Sequence, residues 1–511
     1  MDICTEVGRS EIIKLFINLS FSEDHWLGFD PSIKHLHDLD CWEITVPGTA
    51  ATDSADSTDS SGDNDGSYGS TGPTFYSSHI LIEASHLFGR LTRCFLATDK
   101  KPTRDSRIRS KDCTVFIKDA WTEVADGSGD NDVHYKVAHL RKITRTLERY
   151  PELAGTYPVL EAGGRVEFQS CSDNTFAKDT MRSVLGDLFD DVRVGEKIRK
   201  LPLCAHKRIA TSPIGIPLDE LRSVPELIIA VADAMRARHV IAEHCHILHR
   251  DISTGNFLFR RMEDGTVNGM LIDFDHAIDC EDPDTMPQKE QIGTLPFMSV
   301  NNLEKSSNTR TVLDDYEALI YVLAWLGTFG FSTETRRAKE VDYWGEEINP
   351  LICEWHMPGP YISIAKWKRM YLDSSDSFSN IVHCLNPDIE GIELLQCLLH
   401  DLRTALVDNA EFGPEFVGTR VRRVYDDTND NLSVPVSRSG LAKSFARHIL
   451  LLKNRTYQRI DPIEKRAEKA SEISKKFIDI LDKYADGYRE ILDDQSRTGG
   501  SSEASEQSDD V

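Results

Sequence analysis

The sequence predicts an α+β fold in two parts, a small β-rich one followed by a larger helical one. Three observations carry this. Runs rich in β-branched and aromatic residues stand at Thr74 to Glu83, Arg93 to Ala97 and Thr114 to Ile117. Helical patterning takes over from Leu218 to Glu243 (LDELRSVPELIIAVADAMRARHVIAE). Beyond it, Ala318 to Phe331 is apolar on every face, as the buried axis of a helical body would be.

The bulk properties bound what such a chain can do. Its 511 residues correspond to two to four units at about 150 residues per domain. With 40% hydrophobic residues it can bury a large core. The 59 Lys and Arg against 84 Asp and Glu leave a net charge of −25, which argues against a general nucleic-acid binder or a protein drawn to anionic lipid. The longest nearly apolar run, Ala318 to Phe331, is 14 residues, short of the ~18 to 20 that a bilayer span requires, so no membrane segment is expected. Met1 to Glu6 lacks a basic stretch leading into an apolar one, and the 11 cysteines include no CxxC pair. Both features point to an intracellular protein, cytoplasmic or nuclear, with reduced thiols.

Along the chain, residues 1–48 read as an N-terminal extension with apolar stretches at GRSEIIKLFINLS and LGFDPSIKHL. Residues 49–73 are almost entirely Ser, Asp, Gly, Thr and Ala, an acidic insert that cannot bury enough apolar surface to order itself. The β-rich part spans 74–210 and includes a helical stretch from Asp132 to Arg149. The helical part spans 211–407 and closes with the amphipathic segment Glu393 to Leu406. Residues 408–495 begin as a polar, irregular stretch. Asp461-Pro462-Ile463-Glu464 then opens a long helix with Asp as N-cap, Pro in the first turn and a capping-box Glu. Its apolar residues Ile463, Ala467, Ala470, Phe477, Leu481, Tyr484 and Tyr488 form a narrow seam, suited to docking on its own domain or to a partner or second copy bound through 463–492. Residues 496–511 read as a disordered, acidic, Ser-rich tail.

The chemistry concentrates in Ile247 to Phe259, ILHRDISTGNFLF, where His-Arg-Asp is followed by Asn five residues after the Asp. That spacing puts a carboxylate and a metal-binding amide on one short loop between apolar strands, as a phosphoryl-transfer site requires. Seventeen residues after Asn256, the apolar strand Gly269 to Ile272 ends at Asp273, a carboxylate able to hold Mg²⁺. Of the nearby histidines His244, His246 and His249, the last belongs to this loop, so the trio with Cys245 is a poor zinc site.

These motifs make the chain resemble the fungal-type protein kinase family, with its HRDIS loop followed by LIDFD. Further similarity lies in Gly293 to Met298 (GTLPFM), in Asp315-Tyr316-Glu317, in Leu87 to Thr92 around Gly89, in Val115 to Trp121 around Lys118, and in Gly28 to Pro31. The resemblance covers about residues 10 to 406 apart from the insert. It implies a bilobal kinase fold and transfer of the γ-phosphoryl group of ATP, with Mg²⁺, to a Ser or Thr hydroxyl of an unidentified protein. Asp251 would then orient the acceptor hydroxyl, Asn256 and Asp273 would hold the metal, and Lys118, with Gly89 in a nucleotide loop, would grip the phosphates. Arg250 would neutralise the activation segment, whose one hydroxyl between His276 and Ile292 is Thr285. Asp315 would accept backbone N–H groups of the catalytic loop.

Departures from the family pattern define two other readings. Lys136 stands where a helix glutamate should pair with Lys118, leaving Glu123, Asp130 and Asp132 as substitutes, and Asn301 stands where a glutamate anchors the substrate-side loop. Both suit a pseudokinase scaffold. Asp275, where a glycine is usual, suits a small-molecule phosphotransferase.

Overall fold

The computed structural model describes residues 13, 30, 32–48, 72–82, 92–104, 106–124, 131–169, 176–178, 193–194, 197–198, 203–281, 291–304, 311–330, 352, 355, 360–407 and 469–499. The chain divides into two compact units, one of residues 1–144 and 158–214, the other of residues 145–157 and 215–511. The first is rich in β-sheet and the second in helices.

The first unit is built on a seven-stranded antiparallel sheet. Its strands are β1 (Ile33–Leu36), β2 (Cys41–Thr45), β3 (Thr74–Ile82), β4 (Arg93–Thr98), β5 (Val115–Val124), β6 (Val159–Arg165) and β7 (Leu203–Ser212), in the order β1-β2-β3-β4-β5-β7-β6. Helix α1 (Asn131–Leu147) follows β5. One face of the sheet buries Ile44, Val46, Phe75, Phe95, Ala97, Val115, Ile117, Ala162 and Ala210. Residues 32–48 are thus continuous with the sheet, supplying its first two strands. The Val46 N–H donates to the Pro73 carbonyl at 3.0 Å, so the chain leaves for the acidic insert and returns from it at one place. Residues 49–71 lie outside the described residues.

On the same face as Val115 and Ile117, β5 carries a buried carboxylate, Asp119. It accepts from Arg93 Nη2 at 2.6 Å, from Arg208 Nε at 3.0 Å, and is paired with His206 Nε2 at 2.7 Å. His206 stacks on Trp121 with ring centroids 4.7 Å apart. The Arg208 guanidinium, wholly buried, also donates to the Asp30 carboxylate, to Ser32 Oγ at 2.7 Å and to the Thr45 carbonyl at 2.6 Å. It therefore ties the segment 30–45 to the sheet. Asp30, Asp119 and His206 have the side-chain types of a metal site, but the guanidinium already supplies the positive charge between the two carboxylates.

The second unit is organised around two buried helices. Helix α2 (Val224–His244) starts later than the helical patterning, because Ser223 accepts from the Glu226 N–H as N-cap and Pro225 fits only the first turn. Strand β8 (Ile247–Leu248), the strands β9 (Phe257–Arg261) and β10 (Val267–Leu271), and β11 (Ile278–Asp279) follow. Strand β10 lies directly on α2: a Cβ at Gly269 would stand 1.6 Å from the Ala230 carbonyl oxygen, so only glycine fits there. Next come the short helix α3 (Val300–Leu303) and α4 (Val312–Phe329), capped by a Thr311/Asp314 box and buried along nearly its whole length, as its apolar sequence predicts. Helices α5 (Tyr361–Asp373), α6 (Ser375–His383), α7 (Ile392–Val407) and α8 (Ala470–Gly499) complete the unit. Among the described residues, no helix is long and apolar enough to cross a membrane.

Helix α8 docks within its own unit. Phe477, Leu481, Tyr484 and Tyr488 are fully buried; Tyr484 donates to Asp401 on α7 at 2.7 Å, and Phe477 packs on Tyr316 of α4. Two ion pairs join it to α2: Arg236 with Asp482 and Arg489 with Asp233, both at 2.6 Å. Of the seam predicted from sequence, the part from Phe477 to Tyr488 is buried in this way, whereas Ile463 and Ala467 lie outside the described residues.

Two outcomes are expected. Replacing residues 50–71 with a four-residue Gly/Ser linker should leave the melting temperature unchanged or raise it, because shortening a loop whose ends already meet recovers about 1 kcal/mol of closure entropy; a large loss of melting temperature would show that the insert supports the fold. Burial alone would raise the Asp119 carboxyl, but the positive charges of His206, Arg208 and Arg93 outweigh it and hold the group well below its ordinary value. Its contribution is therefore complete above the unfolded-state value near 3.8 and is lost as pH falls further. Acid unfolding of Asp119→Asn should accordingly show a weaker pH dependence below pH about 4 than that of the wild type.

Candidate active site

The loop between β8 and β9 is organised by one carboxylate from outside it. Asp315, in the first turn of α4 and 3% exposed, accepts the backbone N–H of His249 at 3.1 Å and that of Arg250 at 3.0 Å. It also takes two bonds from the buried Arg238 of α2, at 3.1 and 2.5 Å. The role expected of Asp315 is thus observed, and its cationic partner is an arginine that the helical pattern did not single out. Arg250 adopts a left-handed backbone, φ 71°, which a non-glycine residue holds only where its surroundings enforce it. The bonds that Asp315 accepts from two successive N–H groups, of His249 and of Arg250 itself, supply part of the enforcement.

His249 links this loop to the strand before Asp273. Its Nδ1 accepts from the Asp251 N–H at 3.3 Å and its Nε2 donates to the Ile272 carbonyl at 2.9 Å, which requires the neutral Nε2–H tautomer. The ring meets Phe274 edge-on at 4.7 Å. From the other side, the Ile272 N–H donates to the Asn256 carbonyl at 2.9 Å. Ile272 therefore joins the two loops, by its N–H to Asn256 and by its carbonyl to His249. Asp273 is itself left-handed, φ 64°, and caps the turn Phe274–His276 by accepting from the Asp275 N–H at 3.3 Å. Asp275 thus contributes its backbone to that turn.

Asp251 is held at both oxygens. Oδ1 accepts from the Thr294 N–H at 2.9 Å and from Thr294 Oγ1 at 2.8 Å. Asn256 Nδ2 donates to Oδ2 at 3.3 Å and to the Asp251 carbonyl at 2.7 Å. With its nitrogen engaged, Asn256 keeps Oδ1 as the atom able to hold a cation. The Thr294 contact was not among the sequence expectations, although the Gly-Thr pair was; what hides it is a separation of 43 residues. Gly293, at φ +127°, makes the approach possible, since a Cβ there would lie 3.0 Å from the Arg250 carbonyl oxygen.

A glutamate–arginine pair stands three residues beyond Asn301. Asn301 donates to Asp314 Oδ2 at 3.3 Å, and the glutamate that pairs with an arginine is Glu304, which takes bonds from Arg369 Nη2 at 2.6 Å and Nε at 3.2 Å.

Lys118, in the first unit, is half-buried on β5 opposite Cys94 and Ile209. Gly89, Thr285 and Asp130 lie outside the described residues, as do the side chains of Glu123 and Asp132. His244 stacks on Tyr150, and His246 lies 3.4 Å from Glu281, so the histidines near the loop serve different contacts.

Asp251, the Asn256 amide and Asp273 thus stand on two loops tied to each other through Ile272. A family model described as fungal protein kinase matches residues 1–327. The chain belongs to that family. No curated protein matches it.

Gly293→Ala should destabilise the protein by about 1–3 kcal/mol, because alanine is strained at this φ and must push on the Arg250 carbonyl. Denaturant unfolding measures it, and a loss under half a kcal/mol would mean that the segment relaxes without cost.

Proposed function

We propose that the protein transfers the γ-phosphoryl group of ATP to Ser or Thr hydroxyls of a protein substrate. The observation that carries this reading is the state of Asp251. Its Oδ1 is saturated by the two Thr294 donors, while Oδ2 takes one long bond from Asn256 and retains capacity for an acceptor hydroxyl. The donor set fits magnesium: one carboxylate and one amide oxygen, both hard oxygen ligands. Asn256 and Asp273 would hold the ion, which when bound would neutralise charge on the phosphates. Lys118 would bind the α- and β-phosphates. The cysteine pattern supports action in a reducing compartment, the cytosol or nucleus.

A second reading, a nucleotide-binding scaffold, rests on Lys136 standing where an acid should pair with Lys118. The Glu304–Arg369 pair, three residues beyond Asn301, counts against the other motive for it, the missing anchor at Asn301.

A transfer assay beside a thermal-shift titration with ATP and Mg²⁺ separates the readings. Asp251→Asn should keep the nucleotide-induced shift and lose at least about 100-fold in turnover, whereas Asp273→Asn should lose the Mg²⁺-dependent shift. Wild-type transfer by Asp251→Asn would refute the assignment, and nucleotide binding without any wild-type transfer would establish the scaffold.

A further inference from the structure

Lys368 lies on α5, beyond the residues that the family model matches, and its side chain is fully buried. An ammonium group taken out of water costs several kcal/mol unless its protons are placed. Here Nζ donates to the Pro296 carbonyl and to the Met298 carbonyl, each at 2.7 Å, and it sits 3.9 Å from the centroid of the Tyr321 ring. Burial pushes the ammonium well below the usual lysine range, and the nearby charge of Glu317 acts the other way.

Glu317, on α4, grips the same segment by its amide side. Its Oε1 accepts the Val300 N–H and the Tyr321 hydroxyl, both at 2.7 Å. A cation from α5 thus holds two carbonyls, and a carboxylate from α4 holds an N–H, of a stretch only five residues long. The far end of that stretch continues into Thr294, whose two bonds orient Asp251. Two carbonyls at the turn Leu295–Phe297 and the residue after it could have been left to water, yet the fold buries a charge to hold them.

We infer that Lys368 is a positioning residue: through the segment from Gly293 to Val300 it sets the hydrogen bonds by which Thr294 aims the Asp251 carboxylate at the acceptor hydroxyl. This rests on the proposed phosphoryl transfer for its kinetic consequence and on geometry alone for its structural one. Lys368→Met keeps the length of the stem and removes both donors. The Thr294 bonds then lose their support, and Asp251 is free to turn.

The test is a double-mutant cycle with Thr294→Ala, combined with amide exchange over residues 293–300. Lys368→Met should lower kcat about 10- to 100-fold while leaving the affinity for ATP and Mg²⁺ within about twofold, since a misplacement of about 1 Å at the reacting group costs that much. Because both residues act on Asp251 by one route, the double variant should be little worse than the worse single variant. The amides from Thr294 to Val300 should exchange faster in Lys368→Met than in the wild type. If Lys368→Met proves unable to fold, Lys368→Gln, which keeps an N–H₂ donor, should give the same pattern with smaller losses. An unchanged kcat, losses that multiply in the double variant, or unchanged exchange would overturn the inference. A wild-type protein that transfers no phosphate would refute the proposed function instead, and the exchange measurement would still decide whether Lys368 holds the segment.

Discussion

The catalytic loop depends on one buried carboxylate. Four N–H groups converge on Asp315: two from the backbone of His249 and Arg250, and two from the Arg238 guanidinium. Without it, a buried arginine would face no counter-charge, and the left-handed Arg250 would lose part of what offsets its conformational cost. The orientation of Asp251, the link through His249 to Ile272, and hence the joining of the two loops all begin from that anchor. The helix bearing it is buried along nearly its whole length, so the carboxylate is carried on an element packed into the core of its unit.

A related device recurs at two other places in the described structure. Arg208 on β7 holds residues 30–45 to the sheet, with Asp119 as its counter-charge. Lys368 and Glu317 hold the substrate-side segment, and Arg369 holds its end at Glu304. In each case a charged group mounted on a regular element meets main-chain groups or an opposite charge on a loop. A charge buried with its hydrogen bonds complete adds little net stability, yet losing one partner is costly, so such contacts select one loop conformation over others.

Much of this was legible in the sequence, and the limits are physical. The loop residues Asp251 and Asn256 and the strand ending at Asp273 are local in sequence, so their motif spacing predicts their proximity. The all-apolar run at 318–331 predicts a buried helix, and Asp315 at its start predicts a contact with the catalytic loop. By contrast, the partnership of Arg208 with Asp30 joins residues 178 apart, and no local pattern marks either as buried. This is why residues 32–48 read as an extension although they supply two strands of the sheet. The pairing of Glu304 with Arg369, three residues beyond Asn301, joins positions 65 apart, and no motif marks it. Lys368 is invisible for a related reason: lysines are almost always exposed, and only the packing of Tyr321 and Trp355 around it reveals one that is not.

The unfolding free energy of Asp315→Asn tests most directly whether a charged carboxylate holds the catalytic loop. The substitution keeps the shape, strands the Arg238 cation, and replaces one acceptor oxygen with a donor facing backbone N–H groups. A loss of about 3–5 kcal/mol is predicted, the cost of leaving a buried charge unpaired. A loss below about 1 kcal/mol, comparable to an ordinary neutral hydrogen bond, would contradict the account.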